Sequence, residues 1–125
     1  MNRPKGFACA VLTGTLLIGL STGCTKKPDG PPTAAELEGN LRTAFKDGSA
    51  GARQMADAAV TALEKQDRAQ AFTLLNGLSA APDLTSEQRE AAARAAGAMR
   101  ERLAKEAAQG DQEAAALMQA YRSGK

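Results

Sequence analysis

The chain has 125 residues, room for one small domain, with 16 basic and 14 acidic side chains and a formal charge of +2. It contains no histidine, no tryptophan and two cysteines, Cys9 and Cys24, which excludes the common zinc sites and every histidine-dependent catalytic triad. Without residues 1–23 it carries 14 basic and 14 acidic groups, and a neutral, mixed-charge chain has no electrostatic reason to bind nucleic acid.

The first element is residues 1–23. Arg3 and Lys5 make a short positive start, residues 7–20 form an apolar run, and Ser21, Thr22 and Gly23 follow as small residues. That order reads as an export signal. The run is shorter than the roughly 20 residues a permanent membrane-spanning helix needs. The stretch LSTGC, residues 20–24, resembles the lipobox of bacterial lipoproteins. The resemblance covers the first 24 residues and departs at Ser21, where leucine is usual. It implies cleavage between Gly23 and Cys24 by a type II signal peptidase. It also implies a covalent S-diacylglycerol and N-acyl lipid on Cys24, and no other cofactor. The plainer alternative is an ordinary secretory signal with an incidental cysteine. Each buried methylene contributes about 0.8 kcal/mol, so two or three acyl chains hold a protein on a membrane where one holds it only marginally. Thr25, rather than aspartate, follows the cysteine; by the same resemblance this favours the outer membrane, facing the periplasm, over the inner membrane. Cys9 falls in the discarded segment, so the processed chain has neither free thiol nor disulfide.

Residues 24–32 form the second element, a tether. Lys26, Lys27, Pro28, Asp29, Gly30, Pro31 and Pro32 continue neither a helix nor a central strand. At about 3 Å per residue such a spacer reaches roughly 25 Å.

Residues 33–122 read as an all-α domain, a small alanine-rich antiparallel bundle of about five helices, with residues 123–125 as a frayed tail. The first helix spans about 33–46, opened by a Thr33/Glu36 capping box and striped by Leu37, Leu41, Ala44 and Phe45. The second spans about 49–65, with Ala52, Met55, Ala59, Ala62 and Leu63 on its apolar face. The third starts after Asp67 as N-cap and runs to about Ala80, carrying Ala71, Phe72, Leu74, Leu75 and Leu78. The fourth and longest spans about 86–109. Thr85 and Gln88 cap it, a narrow seam of Ala92, Ala95, Met99, Leu103 and Ala107 runs along it, and Glu90–Arg94, Glu101–Lys105 and Arg102–Glu106 stand four apart. Gly110 ends it, and Asp111 caps a short fifth helix reaching Tyr121. No segment alternates with period two, and Val60 is the one β-branched aliphatic residue after the signal, so strands are not expected. Leu, Ile, Val and Phe supply only 12 of the 102 residues from Cys24 onward. The expected core is therefore thin and alanine-packed, of low stability, with the first helix the readiest to detach.

The second and third helices, with Ala59 and Ala71 at small positions, Leu75 and Leu78 at apolar ones and Pro82 after the hairpin, resemble a single tetratricopeptide-type hairpin over roughly 30 residues. Met55 and Ala62 stand where that family has aromatic residues, Gln66 where glycine is common, and no second copy follows at its 34-residue period. The family binds peptides and proteins, so the resemblance implies an interaction role. It marks Met55, Ala59, Ala71, Leu75, Met99 and Leu103 as a candidate interaction face.

No Ser-x-x-Lys, phosphate loop or calcium loop occurs. The arginines of the fourth helix are interleaved with glutamates, which reads as a solvated face. The sequence thus points to a non-catalytic, membrane-anchored envelope lipoprotein that contacts an envelope protein, with no metal and no nucleic acid among its partners. Two alternatives stay open. One is a structural protein contacting peptidoglycan, since the ending AYRSGK resembles that of the murein lipoprotein, which is linked through its last lysine, here Lys125. The other is a carrier holding a small ligand in a groove between helices two to four.

Overall fold

The computed structural model describes residues 31–124. The expected signal, Cys24, the tether through Gly30 and Lys125 lie outside the described residues. Those residues form five helices and no strand: α1 (Ala34–Phe45), α2 (Ala50–Glu64), α3 (Arg68–Ser79), α4 (Ser86–Ala108) and α5 (Gln112–Ser123). The all-α reading stands, with boundaries shifted by a residue or so. Ser49 is the cap of α2 rather than its first residue, its hydroxyl accepting from the Ala52 amide. The fifth helix runs past Tyr121 to Ser123, whose hydroxyl bonds back to the Gln119 and Ala120 carbonyls.

Local chemistry accounts for the helix starts. Thr33 and Glu36 close a full capping box, with the Thr33 amide donating to Glu36 Oε2 at 2.7 Å. This bond, with that from the Thr33 hydroxyl, holds the Glu36 carboxyl below its ordinary pKa. Thr85 and Gln88 close the second box. Gln88 is buried, because the α1–α2 turn lies over it: a Cβ added to Gly48 would sit 3.0 Å from Gln88 Nε2 and 3.2 Å from the Phe45 carbonyl.

Two helix ends are built alike. At the end of α2 the Asp67 amide donates to the Ala62 carbonyl and the Gln66 amide to the Leu63 carbonyl. At the end of α4 the Asp111 amide donates to Glu106 and the Gly110 amide to Ala107. Both are Schellman endings, which require a left-handed residue just past the helix. Gln66 (φ 58°) and Gly110 (φ 97°) supply it. The next residue in each turn is an aspartate that caps the following helix: Asp67 accepts from the Gln70 amide and Asp111 from the Ala114 amide, both at 3.0 Å.

The helices pack in sequence, and α4 also packs on α1. Helices α1 to α4 therefore form a closed four-membered ring, with α5 laid outside against α4. Arg68 at the start of α3 pairs with Glu106 near the end of α4, and Ala34 and Ala35 at the start of α1 share a cavity with Leu63 and Glu64 at the end of α2, so these neighbours run antiparallel, as short connections demand. The core holds few large side chains: Leu41, Phe45, Val60, Leu75, Leu78 and Leu103 are the largest fully buried ones. Each contributes about 1.5–3 kcal/mol. Alanines fill the rest, Ala52, Ala56, Ala59 and Ala62 on α2 against Ala71 on α3, and Ala92, Ala95 and Ala96 on α4. Helix α1 seats Leu37, Leu41 and Phe45 between two neighbours. By contrast α5 buries one residue, Ala114. Its far end is held by Tyr121, which meets Phe72 edge-on at 5.4 Å and accepts a 2.7 Å bond from Arg100.

Candidate functional site

The site lies at one pole of the ring, where the start of α1, the end of α2, the start of α3 and the end of α4 meet. Its centre is Arg68. As the first residue of α3, Arg68 places a cation at the positive end of a helix dipole, an unfavourable position by itself. Three carboxylates offset that. Nη1 donates to Asp111 Oδ2 at 2.6 Å and Glu106 Oε2 at 3.0 Å, and Nη2 pairs with Glu113. One guanidinium thus ties the α2–α3 turn to the α4–α5 turn. Asp111, then Glu113 and Glu106, push the Arg68 pKa further up. The Asp111 carboxyl is held below its ordinary value by Arg68 and by the Ala114 amide. Burial pushes Glu106 up, but bonds from Arg102 Nε (3.0 Å) and from Arg68 outweigh it, so its carboxyl also lies low.

Beside this cluster run two adjoining cavities of about 620 and 370 Å³. They share Ala34, Leu63, Met99, Arg102 and Glu106 as a common wall. Leu63 and Met99 are nearly buried and give the groove an apolar floor. Pro31 and Pro32, the end of the expected tether, line the smaller cavity. The groove therefore opens at the pole from which the chain leads back toward Cys24. Among the lining carboxylates Glu64, Glu106 and Glu113 are engaged by arginines, while Glu38, Asp67 and Glu101 carry no ion pair among the described residues. No cluster among the described residues has the makings of a metal site, and no described helix is long and apolar enough to cross a membrane.

The candidate interaction face needs correction. Ala59, Ala71, Leu75, Met99 and Leu103 are 0–3% exposed, and Met55 is half-buried. Five of the six hold the helices together, and Ala59, Leu75 and Leu103 offer no surface, because the small and apolar positions of a hairpin are the ones its neighbours cover. Of that set, only Ala71 and Met99 reach the groove, as part of its lining. Cys24 and Gly23 lie outside the described residues. Of the three expected pairs on α4, Glu90–Arg94 and Arg102–Glu106 form, while Glu101 and Lys105 do not close among the described residues. Nor is the α4 basic run simply solvated: Arg100 reaches Tyr121 and Arg102 reaches Glu106. Sequence reasoning missed Arg68. The available signal was a cation directly after an N-cap aspartate, where the helix dipole calls for an acid.

The chain matches no family model, and comparison with curated proteins and with solved structures returns no match either.

Proposed function

We propose that this protein is a lipid-anchored component of a bacterial cell envelope whose helical ring is a non-catalytic protein-interaction module. The observation that carries the reading is the sequence LSTGC at residues 20–24 behind a basic start and an apolar run. The position of the groove supports it, since an open, mixed-polarity groove lies beside Pro31 and Pro32, where the expected tether ends. Thr25 favours the outer membrane, facing the periplasm. Intact mass of the protein from a membrane fraction tests the anchor. A chain beginning at Cys24 with a diacylglycerol and an acyl chain is the expected result, and a Cys24→Ser variant that stays equally membrane-bound overturns it. Affinity purification from detergent-solubilised envelopes tests the module, and recovery of no specific partner counts against it.

A second reading draws on the cavity itself. A volume of about 620 Å³ with an apolar floor falls in the range that holds small ligands, so the ring would act as a carrier. Native mass spectrometry showing a co-purifying small molecule that is lost on narrowing the groove with Ala34→Phe, at a half-buried position that lines both cavities, would favour it over a protein partner.

A further inference from the structure

We propose that the groove at the tether pole docks a basic, partly apolar peptide segment of a partner protein, with lysine or arginine on its acidic walls and neighbouring apolar side chains on Leu63 and Met99. This rests on the interaction-module reading and specifies its partner. Six carboxylates line the two cavities against three cations. Two of the three cations are already committed within the protein. Arg68 is shared among Asp111, Glu106 and Glu113, and Arg102 is bonded to Glu106. Those pairings engage Glu106 and Glu113, and Arg42 engages Glu64, so Glu38, Asp67 and Glu101 against Lys105 are the charges of the lining that carry no ion pair among the described residues, a balance that favours an incoming cation. Glu38 on α1 and Glu101 on α4, one in each cavity, have no ion-pair partner among the described residues. The half-buried Glu38 stands over the apolar floor, where a cation gains more than it would in open water. The net negative charge of the two cavities disfavours an anionic membrane surface as the occupant.

The test uses the full-length chain in detergent and two fluorescein-labelled decapeptides. One has Lys-Leu pairs separated by Gly and Ser, and its counterpart has Glu at each Lys. The basic peptide is expected to bind saturably, to shift the Met99 methyl resonance and to weaken with salt. Joint replacement Glu38→Lys and Glu101→Lys is expected to weaken it by about tenfold or more. The milder pair Glu38→Gln and Glu101→Gln, which leaves the helices their full propensity, is expected to give an intermediate loss. Equal binding of both peptides overturns the proposal, as does a change under about twofold in both variants or no binding at millimolar peptide. The two claims separate cleanly. An envelope partner whose crosslinks map to the outer face of α4 and α5 removes the groove and leaves the module, whereas absence of any envelope partner removes the module itself.

Discussion

The turns at 65–67 and 109–111 are the same device made twice from different sequence. Each closes a helix by two Schellman bonds, crosses the left-handed region once, and hands over to an aspartate cap. In one the left-handed residue is Gly110, which adopts that conformation freely; in the other it is Gln66, which pays for a Cβ there. The helices they join differ as well. Both α2 and α3 belong to the closed ring, while α5 lies outside it with one buried residue. An identical local turn is therefore compatible with two very different degrees of burial. Arg68 is what links them, reaching from the start of α3 to the Asp111 cap of the other turn.

Breaking the ring should have the largest effect. Leu75→Ala, at a fully buried position on α3, is expected to cost about 2–5 kcal/mol. Leu117→Ala, at a half-buried position on α5, should cost only about 1 kcal/mol. Denaturant titrations of both variants measure the contrast, and equal losses would show that α5 is as integral as α3.

Cutting the link comes next. Arg68→Met should speed amide exchange across α5 far more than across α2 and α3. It should also change the acid limb of stability. Asp111 and Glu106 have folded pKa values below their ordinary ones, so the unfolded state binds more protons as pH falls. Their contribution is complete above the unfolded carboxylate range of roughly 3.9–4.3 and is lost as pH drops through the folded values. Thermal unfolding between pH 7 and pH 2 should therefore fall less steeply for Arg68→Met than for the unaltered chain.

The turns themselves give the smaller effects, with opposite signs. Gly110→Ala forces a Cβ into the left-handed region in open space, and should destabilise by about 1 kcal/mol. Gln66→Gly removes the same strain but adds freedom to the unfolded chain, so the net gain should be about 0.5 kcal/mol. Both shifts are readable as changes in the denaturation midpoint with an unchanged slope. A loss at Gln66→Gly would mean that the side chain does more than occupy the turn.

Much of the fold was legible residue by residue. Thr33, Asp67, Thr85 and Asp111 mark four helix starts because capping is a local interaction, decided within one turn of chain. Gly110 marks an end for the same reason. Gln66 hid its left-handed geometry, since only the Schellman bonds from α2 hold a glutamine there. The candidate face was misplaced for a different reason. Hydrophobic periodicity identifies the buried side of a helix and says nothing about which neighbour buries it. Arg68 escaped notice because its partners lie 38 to 45 positions away, beyond any local pattern.

By itself the sequence determined the proline-rich lead-in and the all-helical character. Each of these rests on composition or on contacts within a few residues. Only the tertiary structure decided that α1 closes a ring with α4, that α5 stays outside it, and that an acidic groove lies beside Pro31 and Pro32. Those outcomes depend on which alanine-lined faces meet, and alanine faces are too alike in sequence to name their partners in advance.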